Sequence, residues 1–404
     1  MNGLVQTPVY DVLVAGRGAV GAATALGMAQ LGLRTAIVAP AQDAPSAAVE
    51  DWDARVFALS PAARALLQRL RVWDALDMAR VAPVYDMRIY PASRPGAPEL
   101  HFGAYEACVD ALAWIVENRN LACALERGLG FAGVSSVDGR IAAIDTTAPG
   151  SANVSLEDGR TLRARLVVGA DGARSPLRSL LGIDASERDY PQRAVVANFE
   201  TERPHRDCAF QWFGPHGILA LLPLPGQRCS IVWSAQGTLA DTLMGLDAQA
   251  LAARVEQTSL GTLGALTRIT EQQLFPLRLI EVARTVAPRA VLVGDAAHVV
   301  HPLAGQGMNL GFGDVQVLID VVRARERFRD LGDLLLLRRY ERARREAVAA
   351  MRVTTDALQK LFDPDIEPAL PALVRPLVGA RELGWRMVAS SSWLKRRLIA
   401  HAAS

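Results

Sequence analysis

The chain has 404 residues, half of which are hydrophobic, and a formal net charge of +2. This length predicts one large domain or two to three ordinary domains, with enough apolar side chains for a sizeable core. The nearly balanced charge gives no electrostatic case for nucleic acid or for an acidic partner. Lys360 and Lys395 are the only lysines among 44 basic residues, so a mechanism that needs a lysine earlier in the chain is excluded.

The cysteine pattern indicates an intracellular protein. The cysteines form no C-x-x-C pair and no metal-ligand spacing, so we expect reduced, buried thiols, a cytoplasmic location and no metal site. The start "MNGLVQTP" lacks the basic residues of a signal peptide, and no run reaches the roughly 18 apolar residues that a spanning helix needs. The basic amphipathic segment 391–403 predicts a packed terminal helix, with peripheral membrane contact as the alternative. The four cysteines are Cys108, Cys123, Cys208 and Cys229.

The first elements of the chain predict a β-α-β unit. Residues 9–15 form a short apolar run with β-branched members, a helical pattern follows "GRGAVG", and "RTAIVA" reads as a second buried strand. Residues 61–79 have helical spacing, with four leucines on one face. Residues 85–104 alternate and break at proline and glycine, which predicts hairpin strands, and residues 113–129 again show helical spacing.

The rest of the chain predicts a sheet followed by helices. Short strands alternate with turns such as "VDGR" and "EDGR" over residues 131–168. Many strand-like runs over residues 190–280 predict an inserted antiparallel sheet. Beyond them the pattern is mostly helical, over residues 314–328, 334–362 and 380–400.

The first motif is a glycine-rich turn, G-R-G-A-V-G, between the first predicted strand and helix. Gly16 would make the tight turn, Gly18 would let the backbone approach a pyrophosphate, and Gly21 would let helix and strand pack closely. The dinucleotide fingerprint also calls for an acidic residue at the end of the second strand, to bind a ribose hydroxyl. Ala39 occupies that position, and Asp43 is the nearest acidic substitute.

Two further motifs lie later in the chain. In "VVGADGARSPLR", residues 167–178, a buried strand ends in Asp171-Gly172 and continues as D-G-x-x-S-x-x-R. In "VLVGDAAHVVHPLAGQGMNLGFGD", residues 291–314, a strand ends in Gly294-Asp295, where an aspartate can accept hydrogen bonds from sugar hydroxyls. The glycines after it would offer backbone N–H groups to the electron-rich edge of a ring.

These three motifs, in this order, resemble the class A flavoprotein aromatic hydroxylases, typified by para-hydroxybenzoate hydroxylase. The segment "HPLAGQGMNLGFGD" is similar to the signature of the ubiquinone-biosynthesis FAD-dependent hydroxylase family. Residues 53–76 and 115–125 also resemble that family. The resemblance implies an α/β fold: a Rossmann-like FAD-binding domain of glutathione-reductase type, an inserted antiparallel-sheet substrate domain and a helical C-terminus.

The resemblance also implies domain boundaries and a set of FAD-contacting residues. The FAD-binding domain would comprise residues 1–80, 106–185 and 282–330. The substrate-binding sheet domain would comprise 81–105 and 186–281, with 331–404 helical. The implied cofactor-binding residues are Gly16, Gly18, Ala19, Val20, Gly21, Arg55, Asn118, Asp171, Gly172, Gly294, Asp295, Pro302, Gly305, Gln306, Gly307, Met308 and Asn309.

The implied activity is monooxygenation of a polyprenylated phenol in ubiquinone biosynthesis. FAD would react through a C4a-hydroperoxyflavin, with dioxygen as co-substrate and NAD(P)H or a reductase partner as electron donor. Other ubiquinone-biosynthesis proteins are candidate partners. No catalytic base is identified by the sequence.

Several alternatives stay open at this point. One is a flavin hydroxylase of another aromatic substrate, or a prenyl reductase of the same fold. Another is a low-turnover flavoprotein that organises a biosynthetic assembly. We expect His298 and His301 to be structural, Asp314 to cap the following helix, and the aromatic residues of 210–225 to be core.

Overall fold

The computed structural model of the chain describes residues 9–41, 51–91, 99–214, 217–300 and 306–362. Its strands form three sheets. In chain order the strands are β1 Val9–Ala15, β2 Thr35–Ala39, β3 Val56–Leu59, β4 Val81–Val84, β5 Asp86–Pro91, β6 Leu100–Gly103, β7 Ala113–Glu117, β8 Ser135–Asp138, β9 Ile141–Asp145, β10 Ala152–Leu156, β11 Thr161–Gly169, β12 Ala185–Thr201, β13 Cys208–Gly214, β14 Gly217–Leu224, β15 Arg228–Gln236, β16 Leu266–Arg268, β17 Gln273–Val282, β18 Val286–Ala287, β19 Ala290–Leu292 and β20 His298–Val299.

The α-helices are spread along the described chain, and the two longest come last. Short 3-10 turns at Trp73–Ala75, Met78–Arg80 and Gly294–Ala296 accompany them. The α-helices are α1 Ala19–Gln30, α2 Pro61–Arg69, α3 Ala104–Ala107, α4 Asn118–Phe131, α5 Pro176–Leu180, α6 Gly237–Gly245, α7 Ala248–Thr258, α8 Gln306–Arg323 and α9 Leu334–Phe362.

The first sheet has a parallel centre and confirms the predicted α/β fold. Its order is β18-β19-β11-β1-β2-β8, with β10 and β9 added antiparallel beside β11. Pairing of β1 with β2 and β11, of β2 with β8 and of β11 with β19 is parallel. Both faces are covered, as parallel sheets require. Val12 packs with Leu26 of α1, whereas Leu13 packs on the other face with Val154 of β10.

The second sheet runs over the inserted region, in the order β20-β17-β12-β15-β14-β13-β5-β6, with β16 beside β12. Its pairs are antiparallel except β13 with β5. One face of this sheet is closed by α6 and α7. There Trp233 and Phe199 pack against Leu243 and Leu251 and are fully buried.

The third sheet joins β3, β7 and β4. It includes residues 81–84, which the sequence assigned to the substrate-binding unit; β4 pairs with β7 instead, while β5 and β6 join the large sheet. The division into domains stays a prediction.

Four local predictions from the sequence are wrong. Residues 113–117 form strand β7 rather than a helix, because Trp114, Ile115 and Val116 pair with β3. Helix α2 ends at Arg69, since the chain turns at Arg71 with a positive φ of 58°. Helix α8 covers 306–323 rather than 314–328, and Cys108 is exposed rather than buried. The predicted helix over 380–400 lies outside the described residues.

Candidate active site

The three glycine-rich motifs meet at one edge of the parallel sheet. Strands β1, β11 and β19 are adjacent and parallel, so their carboxyl ends, and the turns that follow them, lie side by side. The Ala170 N–H donates to the Ala15 carbonyl at 2.8 Å, and the Val293 N–H donates to the Gly169 carbonyl at 2.9 Å. Ligands of open α/β sheets bind at this edge.

Two glycines of the first motif are required by close backbone packing. Gly16 has a φ of +105°, and a Cβ there would lie 2.2 Å from the Ala170 carbonyl oxygen. A Cβ on Gly21 would lie 2.2 Å from the Gly16 carbonyl oxygen. Gly16 therefore lets the first turn fit against the second motif, and Gly21 lets α1 pack onto that turn.

Gly18 is the glycine with free space beside it. It precedes the first residue of α1, Ala19, and no side chain caps the N–H groups of that helix. A Cβ on Gly18 would meet nothing within 4 Å. Unfilled space at an uncapped helix N-terminus is what a pyrophosphate needs, so this turn fits the phosphates of a dinucleotide. The side chain of Val20 does not line this space and packs against Gly294 and Gly311.

Gly18→Ala should weaken binding of FAD without harming the fold. The extended backbone at Gly18 (φ −64°, ψ 171°) accepts alanine, so the free energy of unfolding should change by less than about 0.5 kcal/mol. The new methyl group would occupy the phosphate approach, and FAD affinity should fall roughly tenfold or more. Fluorescence titration of flavin and urea unfolding measure the two effects. Gly21→Ala is the contrasting variant that should damage the fold; normal FAD affinity in Gly18→Ala would contradict this assignment.

Asp295 follows β19 at this edge, beside the end of β11. Its side chain retains exposed surface although many protein atoms surround it. This partial desolvation raises the pKa of the carboxyl above its ordinary value, and the charge of Asp314 adds to the effect. His298 and Arg55 act in the opposite direction. A carboxylate with free surface is suited to accept hydrogen bonds from ligand hydroxyls.

The Gly294–Ala296 turn is held by side chains from three other elements. The Gly294 N–H donates to Asp314 Oδ2 of α8 at 2.8 Å. Tyr340 of α9 donates its hydroxyl to the Leu292 carbonyl at 2.9 Å. Arg178, from the D-G-x-x-S-x-x-R motif, donates to the Ala296 carbonyl at 3.2 Å. These contacts fix the direction in which Asp295 projects.

Asp314 is the centre of a buried ionic cluster and does not cap a helix, contrary to the prediction. It lies within α8, fully buried, and accepts from Arg344 Nε of α9 at 2.6 Å and from His298 Nε2 at 2.7 Å. Burial alone would raise the pKa of Asp314, but His298, Arg344 and the Gly294 N–H together lower it. Arg344 and Tyr340 belong to none of the three motifs, so sequence reasoning missed them.

Arg55 and Asn118 lie side by side next to the sheet edge. The Asn118 N–H donates to the Arg55 carbonyl at 2.9 Å, which joins the start of β3 to the start of α4. The Arg55 guanidinium lies 5.6 Å from the ring centroid of Phe275 in β17 and 5.2 Å from that of Phe57. Arg55 therefore contacts the large sheet at Phe275, and its charge also acts on Asp295.

The second motif lies at the same edge of the parallel sheet, but the carboxylate of Asp171 already accepts two hydrogen bonds from the protein. Asp171 accepts from the Ser175 hydroxyl and, through its other oxygen, from the Leu177 N–H at 2.9 Å. Its immediate role is thus to fix the start of α5. Gly172, with a φ of +85°, has free space beside it. Contacts of Asp171 and Gly172 with a cofactor stay a prediction.

The predicted ring-binding segment is only partly within the described residues. Pro302 and Gly305 lie outside them. Gln306, Gly307, Met308 and Asn309 form the first turn of α8. The Asn309 side chain clamps the start of α2: it donates to the Ala58 carbonyl at 2.9 Å and accepts from the Ser60 N–H at 2.9 Å. Backbone contacts of this turn with a ring stay a prediction.

The face of the large sheet that carries Phe275 is incompletely packed. One cross-strand row comprises Phe275, Ala194, Ser234, Ile218 and Phe213, and the next comprises Val196, Val232, Ala220 and Gln211. Val196, Ile218 and Gln211 each keep 8% of their surface, and Ala220 and Val232 are half-buried. On the opposite face Val195, Ile231 and Trp233 keep 0%. We call the first face, defined by these nine residues, the cleft face.

The aromatic residues of 210–225 divide between the two faces. Phe210 and Trp212 belong to the closed core, as predicted, and their stacked rings have centroids 6.0 Å apart. Phe213 lies on the cleft face.

Among the described residues no group of three His, Cys, Asp or Glu side chains is placed to hold a metal ion. No helix in the described part of the chain is long and apolar enough to cross a bilayer.

Comparison with known proteins decides the family. The profile of the FAD binding domain family matches residues 9–355. Ubiquinone hydroxylase UbiL of Rhodospirillum rubrum is 37% identical, over 98% of this chain and 89% of that protein. The 3-demethoxyubiquinol 3-hydroxylase of Escherichia coli is 33% identical, over 97% of this chain and 98% of that protein. The chain belongs to the ubiquinone-biosynthesis family of FAD-binding hydroxylases.

A solved structure agrees with this membership of the FAD-binding hydroxylases. Pseudomonas aeruginosa PqsL, in complex with 2-aminobenzoylacetate, matches with a TM-score of 0.73 and 26% identity, over 88% of this chain and 97% of that one. The predicted family and fold class are confirmed, and the protein is an FAD-dependent monooxygenase.

Proposed function

We propose that this protein hydroxylates the aromatic ring of a polyprenylated phenol in ubiquinone biosynthesis. NAD(P)H or a reductase partner would supply the electrons. The relatives named for ubiquinone chemistry support the pathway. The observation that supports the substrate class is the cleft face, a mostly apolar and partly exposed surface that meets the Arg55 guanidinium at Phe275.

The chain's own residues would hold the cofactor at the edge of the parallel sheet. Bound FAD supplies the transfer of one oxygen atom from dioxygen to the ring, chemistry that no side chain provides. The Gly16–Gly21 turn and the α1 N-terminus would bind the pyrophosphate. Asp295 would accept hydrogen bonds from ribityl hydroxyls.

The cleft face would position the substrate and keep water away from the reacting atoms. The Arg55 guanidinium lies over the ring of Phe275, and its charge acts to lower the pKa of Asp295. This end of the cleft face would therefore adjoin the cofactor site. From Phe275 the row continues through Ala194, Ser234 and Ile218 to Phe213, and only Ser234 is polar. An isoprenoid chain gains binding energy on such a surface, about 25 cal/mol for each Å² removed from water.

The test is substrate-dependent oxygen consumption by the purified holoenzyme. Phenols with the same ring and prenyl tails of increasing length are supplied with NADH, NADPH or a reductase, and products are identified by mass spectrometry. We expect one oxygen atom added to the ring and a KM that falls as the tail lengthens. Oxygen uptake that yields only hydrogen peroxide, or equal KM values for all tails, would reject the proposal.

Ala220→Phe tests the cleft face directly. Ala220 is half-buried on that face, and filling the cleft with a ring should cost about 1–3 kcal/mol of substrate binding. The KM for long-tailed phenols should therefore rise roughly tenfold or more, while FAD affinity stays unchanged. Steady-state kinetics and flavin titration measure both. Ala220→Ser, which adds little volume, is the matched control, and an unchanged KM in Ala220→Phe would count against the cleft as the tail site.

A further inference from the structure

The end of β2 lacks the acidic side chain that normally binds the adenosine ribose, and the side chain of Arg17 lies close to that position. Ala39 ends β2, and its side chain packs on the same face of the sheet as α1 and α4. Strand β2 lies between β1 and β8. Arg17, which directly follows the β1 turn, donates to the Ser136 hydroxyl of β8. Its side chain therefore crosses β2 on the face and at the edge where the missing carboxylate would project.

Arg17 holds a carboxylate at that edge. Its guanidinium binds Glu126 of α4 in a bidentate pair, with Nε to Oε1 at 2.8 Å and Nη2 to Oε2 at 2.6 Å. The two side chains keep 28% and 25% of their surface, so they remain open on one side. A carboxylate offers about four acceptor positions, of which this pair uses two. The remaining positions are available to hydroxyl groups.

Asp138 is another acidic residue at this edge that could bind the ribose, but its carboxylate already accepts a hydrogen bond from the protein. It is the register partner of Ala39 on β8. Its Oδ1 accepts from the Ala41 N–H at 2.7 Å and so fixes the chain that leaves β2. It makes no contact with Arg17 in the described structure, whereas Glu126 is fixed by two hydrogen bonds.

We infer that Glu126, oriented by Arg17, accepts hydrogen bonds from the adenosine ribose of FAD in place of the acidic residue absent from position 39. The carboxylate comes from helix α4 instead of from β2. The charge and the hydrogen-bonding capacity at the edge are preserved, although the sequence fingerprint is broken. The inference concerns only the adenosine half of FAD and is separate from the identity of the substrate.

The test compares FAD with FMN, which lacks the adenosine, on the full-length apoprotein by quenching of flavin fluorescence. Glu126→Gln should lower FAD affinity roughly tenfold and leave FMN affinity within about twofold, because only FAD reaches this edge. Asp138→Asn, the matched control, should leave the ratio of the two affinities unchanged. Adding Ala39→Glu to Glu126→Gln should restore the ratio, since the new carboxylate would lie beside Arg17.

Three results would overturn the inference. Unchanged FAD affinity in Glu126→Gln would show that its carboxylate does not touch the cofactor. Equal losses for FAD and FMN would show general damage to the fold. A double variant with no recovery would show that a carboxylate at this edge is not what the ribose requires. None of these readouts depends on catalytic turnover.

Discussion

Asp295→Asn should leave a folded protein that loses FAD. A hydrogen bond to a charged acceptor contributes about 1.5–3 kcal/mol, so losing the charge on Asp295 should weaken FAD binding roughly tenfold to a hundredfold. The variant should purify with little flavin. Flavin absorbance per mole of protein and a fluorescence titration measure this loss.

The same change should not destabilise the apoprotein. Surrounding protein atoms raise the pKa of Asp295, and Asp314 adds to that shift, so the ionised carboxylate is disfavoured in the folded state. Above that raised pKa the charge opposes folding, and its removal should leave the free energy of unfolding equal or higher. Replacing a residue that serves binding at the expense of stability commonly leaves the protein as stable or more stable. A variant that keeps stoichiometric FAD would contradict the assignment of Asp295.

Arg344→Gln should cause a large loss of stability. Removing one partner of a buried ion pair leaves the other uncompensated and costs about 3–5 kcal/mol. Arg344 is 9% exposed and also donates to the Leu310 carbonyl, so α9 would loosen from α8. Urea unfolding of the apoprotein measures the difference. Arg342→Gln, on the exposed side of the same helix, should change stability by less than about 0.5 kcal/mol.

FAD retention distinguishes a local from a general effect of Arg344→Gln. Without Arg344, Asp314 is less well oriented toward the Gly294 N–H, so the turn that carries Asp295 should lose its fixed geometry. We expect weaker FAD binding at temperatures where the variant is still folded, with Arg342→Gln binding normally. Full stability in Arg344→Gln would show that the His298 contact alone suffices to hold Asp314.

The sequence predicts where the glycine-rich turns lie, because a tightly packed turn accepts only glycine at certain positions. Gly16 and Gly21 are glycines for steric reasons that are visible in the structure, and their spacing alone located the turn. The sequence predicts a helix over residues 113–117 because the helical spacing of α4 continues into them, whereas pairing with β3, distant in sequence, makes them a strand. The start of α8 was missed because glycines usually end helices.

The glycines of α8 have packing partners that sequence cannot reveal. A Cβ on Gly311 would lie 2.7 Å from the Val20 side chain, and one on Gly313 would lie 2.9 Å from the Arg344 guanidinium. Arg344 and Tyr340 sit on a helix whose pattern predicts only that one face is buried. Their partners lie in other elements, so local spacing holds no information about them. The role of Glu126 depends in the same way on strand order.

The anchoring of the Gly294–Ala296 turn by α9 also has a consequence for biosynthesis. A nascent chain that has emerged only as far as α8 already contains all three glycine-rich motifs. It lacks Tyr340 and Arg344, which bind the Leu292 carbonyl and Asp314. Domains otherwise tend to fold as they leave the ribosome. Cofactor loading should therefore be a late event, coupled to release of the C-terminal part of the chain.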